Sequence, residues 1–373
     1  MKLKSSQNAF LCLLRAGLWD CESCNLSDYK AFSFDEIYQI SQEQSVVGII
    51  ASGLEHVSDV KAPQDIALTF VGNALQLEQR NKDMNLFIAN LVEQLRNGDV
   101  YTLLLKGQGI ALCYKRPLWR SCGDVDFLMS ETNYNQAKKM LIPKASSLEE
   151  ENGYSKHLGM QIEQWEVELH GSMRVGLWRK LDRVLGSVEN QVFYDGKVRS
   201  WINNYTQVFL PGVNEDVFYV FAHILQHFYK EGIGLRQICD WCRLLWTYKD
   251  SIDHELLRFR LFASGTESEW KAFAALAVDY LGMPVEAMPF YSPKKVWGKK
   301  ADKVISIIFE TGNFGHNRDM SFLNSNSAIE RKTKRFWHIT KDFIKQFKIF
   351  PIDSVKVWTK TMRTGLRVLV NSK

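Results

Sequence analysis

Apolar positions recur at helical spacing through most of the first hundred residues. Between Asp35 and His56, the residues Ile37, Ile40, Val47 and Ile50 fall on one helical stripe. Pro63 introduces a second run, Ile66 to Leu95, in which Leu68, Phe70, Leu75, Leu77, Met84, Leu86 and Phe87 are spaced among Gln, Glu, Arg and Lys as on a long amphipathic helix. Asn97-Gly98-Asp99 ends it.

The pattern then changes. Val100 to Leu105 is an apolar run of strand length that stops at Lys106-Gly107-Gln108-Gly109, a strand and its turn. A short helix is expected over Ile110 to Tyr114, broken by Pro117. Asp124-Val125-Asp126-Phe127-Leu128-Met129 alternates polar with apolar, as a half-buried strand does. After a helix from Thr132 to Leu141 and a polar, Glu-rich loop, Gln164 to His170 repeats the period of two and predicts a third strand. Helical spacing returns over Val217 to Tyr229, Gly234 to Tyr248 and Glu267 to Leu281, and in two basic helices after Ala328, separated at Phe350-Pro351. The reading is an α+β protein: an N-terminal helical region (1–98), a small mixed-sheet α/β core (99–212) and a C-terminal helical region (213–373) with a basic end.

Composition changes this picture little. Of 373 residues, 46% are apolar and 24% charged, which excludes a disordered or fibrous chain. The net charge of +5 does not by itself mark a nucleic-acid binder. Its distribution is uneven. From Arg331 to Lys373 twelve basic residues face Asp342 and Asp353, so this segment carries +10 and the preceding 330 residues sum to −5. A basic end invites an anionic partner, nucleic acid or another polyanion. The aromatics Phe336, Trp337, Phe343 and Phe347 within it have the spacing of a buried helix stripe.

No run of about 18 apolar residues appears, and the N-terminal apolar stretch is too short for a signal peptide, so a soluble, cytoplasmic protein is expected. Seven cysteines include two CxxC pairs, Cys21/Cys24 and Cys239/Cys242. They lie too far apart in sequence for a zinc knuckle and are expected to be reduced thiols, the second pair packed as small hydrophobes.

Asp124 and Asp126 carry the chemical signal. On a strand, residues i and i+2 share a face about 7 Å apart, so both carboxylates can bracket divalent cations; on a helix the same spacing splays them. Glu168, flanked by Val167 and Leu169, joins them if the third strand lies beside the Asp-Val-Asp strand. Three clustered carboxylates repel one another unless a cation neutralises them, and magnesium, or manganese, suits oxygen ligands shared with phosphate.

The segment LLKGQGIALCYKRPLWRSCGDVDFLMS (Leu104 to Ser130), followed by Glu168-Leu169-His170, resembles the uncharacterised nucleotidyltransferase family of the DNA polymerase beta-type nucleotidyltransferase superfamily. It departs from the superfamily pattern in its turn, Gly107-Gln108 in place of Gly-Ser or Gly-Gly, and in the longer stretch to Asp124. The resemblance implies a nucleotidyltransferase core and transfer of a nucleoside monophosphate from an NTP to an acceptor hydroxyl, on a small molecule or a protein, with release of pyrophosphate. Asp124, Asp126 and Glu168 would be the catalytic and metal-binding residues, with nucleotide contacts from Lys106, Gly107, Gln108, Arg120 and Gly123. Arg120 could instead orient the Asp loop.

Other nucleotide motifs fail: Gly107-Gln108-Gly109 lacks the third glycine of a dinucleotide fingerprint, and no P-loop follows a strand. His223 and His227 share a helix face, but Ile224 stands where a zinc protease needs Glu. The simplest reading of Arg236 and Asp240, four apart, is an intrahelical ion pair. The alternative to an enzyme is a catalytically silent protein of the same fold that binds a polyanion through its basic C-terminal helices.

Overall fold

A computed structural model describes residues 3–20, 24–317 and 328–371; in the last segment, the side chains of 328–333, 335 and 364–371 lie outside the description. The N-terminal part holds α1 (Ser5–Trp19), α2 (Phe34–Glu43), α3 (Val47–Leu54) and α4 (Gln64–Arg96). The sheet region runs β1 (Leu103–Leu105), α5 (Gly107–Ala111), β2 (Asp124–Leu128), α6 (Glu131–Leu141), β3 (Ser147–Leu148), β4 (His157–Ile162), β5 (Trp165–His170), α7 (Arg179–Tyr194), β6 (Val198–Asn203) and β7 (Thr206–Pro211). There follow α8 (Val213–Lys230), α9 (Leu235–Thr247), α10 (His254–Ser264), α11 (Glu267–Asp279), α12 (Lys295–Thr311), α13 (Ala328–Phe347) and α14 (Pro351–Asn371).

The seven described strands form one mixed sheet in the order β3-β4-β5-β2-β1-β7-β6. β2 pairs antiparallel with β1 and parallel with β5, and β1 pairs parallel with β7. The α+β class read from the pattern holds. Three strands were legible as alternating or apolar runs. β3, only two residues long, was not, and neither were β4, β6 and β7, because their hairpins close on Glu163-Gln164 and Asn204-Tyr205 rather than on a glycine pair. Glu163, Asn204 and Tyr205 take positive φ there, the backbone a tight hairpin demands.

Alternation along the central strands serves two cores. Leu104, Val125, Phe127, Trp165, Val167 and Leu169 point to one face, against Met84, Ile88 and Leu91 of α4 and Tyr134 and Ala137 of α6. Leu103, Leu105 and Leu128 point to the other, into the larger core shared with α1, α3, α8, α9 and α11. The polar positions of β2 and β5 therefore face the helical body.

Several expectations are corrected. The stripe from Asp35 to His56 is two helices, interrupted at Ser45, which adopts φ 56°. On α4, Leu68, Leu75 and Leu86 are exposed, because only one side of the helix meets the cores. Phe336, Trp337 and Phe347 are exposed rather than buried. α13 is anchored near its end, where the Gln346 amide donates to the Phe228 carbonyl at 2.7 Å, and of the four aromatics only Phe343 is half-buried, against Phe347 and Trp358. Cys12 and Cys24 form a disulfide, with Cα atoms 6.1 Å apart, so the expectation of reduced thiols fails for this pair. Cys21 lies outside the described residues. Cys239 and Cys242 are buried, and burial pushes both thiols up, away from the thiolate a metal would need.

The larger core encloses Glu269 on α11. The Tyr229 hydroxyl of α8 donates to it at 3.0 Å, the carboxyl of Asp353 on α14 faces it, and Lys300 of α12 lies nearby. Burial, and then the Asp353 charge, push its pKa from 4.5 up to about 8. A carboxyl raised in the folded state contributes stability that is complete below the unfolded value and lost as pH rises through the folded one. Glu269→Gln mimics the protonated form. It is expected to match the parent near pH 4.5 and to exceed it by on the order of 5 kcal/mol at pH 9, read as denaturant midpoints across that range. Parallel pH profiles for the two proteins would refute this.

Candidate active site

The parallel register of β2 and β5 sets Asp124 beside Glu166 and Asp126 beside Glu168. Because Val125, Val167 and Leu169 occupy the core beneath, all four carboxylates share the opposite face. Oxygen atoms of Asp124, Asp126 and Glu168 lie within 4.8 Å of one another. The three predicted carboxylates are thus brought together, and Glu166 is a fourth that the period of two in β5 also marks.

A sharp turn supplies the nearest cation. Lys106 has φ 50° and ψ −137°, and Gly107 has φ 42°. Such backbone is strained for a lysine and is held by its surroundings. A Cβ on Gly107 would sit 3.4 Å from the Cys122 sulfur and 3.6 Å from the Asp124 carbonyl, so the turn lies close against the strand that carries the carboxylates. The Lys106 ammonium lands 3.0 Å from Asp126 Oδ1. Burial alone would depress its pKa, but Asp126, Asp124 and Glu168 outweigh burial and keep it charged.

The carboxylates are not equivalent. Burial pushes Asp126 up, against the pull of Lys106. Glu168 is also penalised by burial, yet hydrogen bonds from His157 and His170 hold it well below the usual carboxylate range. His170 Nε2 lies 2.8 Å from Asp126 Oδ1 and 3.3 Å from Glu168 Oε2, and His157 Nε2 lies 3.0 Å from the same Glu168 oxygen.

Across from the sheet, α8 and α9 close a cavity of about 810 Å³, within the range of nucleotide-sized sites. His223 and His227, four apart, extend a hydrogen-bonded chain to the turn, His227 to His223 at 2.8 Å and His223 to Lys106 Nζ at 3.0 Å, and Glu231 lies 2.8 Å from His227 Nδ1. Burial and the neighbouring Lys106 hold His223 well below its ordinary pKa, hence neutral. Arg236 of α9 also lines the cavity. It donates to the Ser121 carbonyl at 3.0 Å, its Nε has no hydrogen-bond partner, and its guanidinium lies over the exposed Phe314 ring.

Other predicted site residues sit differently. Gln108 is buried on the far side of the turn, its amide donating to Asn81 Oδ1 at 2.9 Å, away from the cavity. Arg120 borders the cavity but commits two nitrogens to Asp240, at 3.0 and 2.5 Å. Asp240 therefore pairs with Arg120 and the Tyr114 hydroxyl, not with Arg236, which corrects the intrahelical pair. Gly123 lines the cavity with open space where a side chain would stand. Residues missed by sequence reasoning are His157, on a strand that was not recognised, and Arg174 and Lys230 on the cavity wall, each isolated in its own segment.

This arrangement, carboxylates on adjacent strands after a glycine turn in a sheet flanked by helices, is that of a nucleotidyltransferase core. The model of the uncharacterised nucleotidyltransferase family matches residues 30–282, and the chain belongs to that family. Searches of curated proteins and of solved structures found no match. Among the described residues no helix is long and apolar enough to cross a membrane. In the basic C-terminal segment, Lys345, Lys356 and Lys360 pair with Glu310, Asp353 and Asp182, so part of its charge is answered within the molecule.

Proposed function

We propose that the protein transfers a nucleoside monophosphate from an NTP to an acceptor hydroxyl, releasing pyrophosphate, at Asp124, Asp126 and Glu168. The observation that carries this reading is the convergence of the three carboxylates beside the Lys106-Gly107 turn, on the wall of a nucleotide-sized cavity. Their donor set fits magnesium or manganese: three hard oxygens clustered within 4.8 Å, beside Lys106, His157 and His170. When bound, such an ion supplies positive charge to the triphosphate and to the leaving pyrophosphate.

The chain's own groups do the rest. Lys106 is held charged by its carboxylate neighbours and adds a fixed cation at the phosphate end of the cavity. The guanidinium of Arg236, on the cavity wall, provides a second group for phosphate oxygens, and its rigid fork suits them. Glu168, held as a carboxylate by two histidines, keeps its charge for a cation and takes a proton poorly. Its ligand role therefore outweighs a general-base role.

The test is calorimetric titration of the protein with each of four NTPs, with and without magnesium or manganese, beside Asp124→Asn. Metal-dependent binding of at least one NTP, weakened by at least about tenfold in the variant, is the expected result. Binding that ignores both the metal and the substitution would sink the proposal.

A further inference from the structure

The same cluster contains a second donor set of different chemistry. β4 and β5 run antiparallel in a register that sets His157 directly across from His170, with Glu168 two residues before His170 on the same face. Leu158, Met160, Val167 and Leu169 fill the core beneath, so the two imidazoles and the carboxylate must project together into the cavity. The rings are 4.8 Å apart between centroids. Both Nε2 atoms aim at one oxygen, Glu168 Oε2, at 3.0 and 3.3 Å. One donor atom from each of the three residues lies within 4.8 Å of the others.

We infer that His157, His170 and Glu168 bind a transition-metal ion of the manganese-to-zinc series, separate from the oxygen-ligated ion and sharing Glu168 with it. Two imidazole nitrogens and one carboxylate suit borderline ions, whereas magnesium takes oxygen donors and gives up its waters reluctantly. Three protein ligands leave coordination positions open, the pattern of catalytic rather than structural sites. His157 and Glu168 are both partly exposed to the cavity, so the open positions face the space assigned to substrate. The inference deepens the proposed function by giving Glu168 a second ion. It does not need that function to be right.

The experiment strips the full-length protein with chelator and dialyses it against Co²⁺ or Mn²⁺, without nucleotide. Pulsed EPR of the Mn²⁺ form detects imidazole nitrogen bound to the ion. About one Co²⁺ per chain and clear nitrogen couplings are expected in the parent and in Asp124→Asn. In His157→Gln, affinity should fall by at least about 100-fold, since even indirect partners of metal ligands cost up to that much. Mn²⁺ bound to folded parent protein without nitrogen couplings, or no Co²⁺ binding to it, would overturn the inference. So would unchanged affinity in His157→Gln. The parent spectrum decides even if His157→Gln fails to fold. Failure of the nucleotidyl-transfer reading appears elsewhere, as NTP binding indifferent to Asp124→Asn, and leaves the nitrogen couplings in place.

Discussion

Asp126→Asn is expected to fold and to lose nucleotidyl transfer by about three powers of ten, the rate equivalent of roughly 4 kcal/mol of lost charge stabilisation at the reacting phosphate. Asp126 is the most buried of the carboxylates, 1% exposed, and it contacts both Lys106 and His170. Asparagine preserves its shape but removes the charge that holds the lysine and completes the oxygen donor set. The measurement is pyrophosphate release under saturating magnesium and NTP, with circular dichroism confirming the fold. Asp126→Asn turning over within tenfold of the parent would remove this residue from the centre.

The second large effect concerns stability. Arg120→Met is expected to destabilise the protein by about 3–5 kcal/mol, because it leaves the Asp240 carboxylate buried without its bidentate partner. The double variant Arg120→Met/Asp240→Asn should recover most of the loss, since the buried charge is gone while the asparagine oxygen still accepts from Tyr114. Denaturant midpoints and slopes provide the reading. A single variant within 1 kcal/mol of the parent would show that the pair is not what holds this loop. The loop matters for the site. Asn81 of α4 donates to the Leu118 and Arg120 carbonyls at 2.7 and 2.9 Å, Gln108 holds Asn81, and Arg236 holds the Ser121 carbonyl. Together they fix the entry of the chain into β2, up to three residues before Asp124.

Gln108 illustrates why sequence reasoning about a site stops short. It lies within the stretch that resembles the family signature, and proximity along the chain suggested nucleotide contact. A turn with two successive positive φ values, however, sends the Lys106 and Gln108 side chains to opposite sides. Which residue of a turn reaches the ligand depends on dihedral angles that composition does not reveal. Arg236 shows the converse. Its i+4 partner was plain in the sequence, but Asp240 points across to Arg120, leaving Arg236 at the cavity. Local spacing names the residues a side chain can reach, and burial selects among them.

Alternation in Asp124–Met129 and Gln164–His170 was enough by itself to place Asp124 and Asp126 on one strand face, and Glu168 on one face of another. It was enough because side chains on a strand point alternately to either side and only one side here could be apolar. The glycine turn, the helical flanks and the α+β class were legible for the same reason: each is a local pattern with a fixed period. That β2 and β5 are neighbours, in the register that sets Asp126 beside Glu168, only the tertiary structure decided. The same holds for His157 facing His170 across a hairpin. Strand pairing is a contest among long-range alternatives, settled by how the whole sheet buries its apolar face against α4 and α6, and no short window of sequence contains that competition.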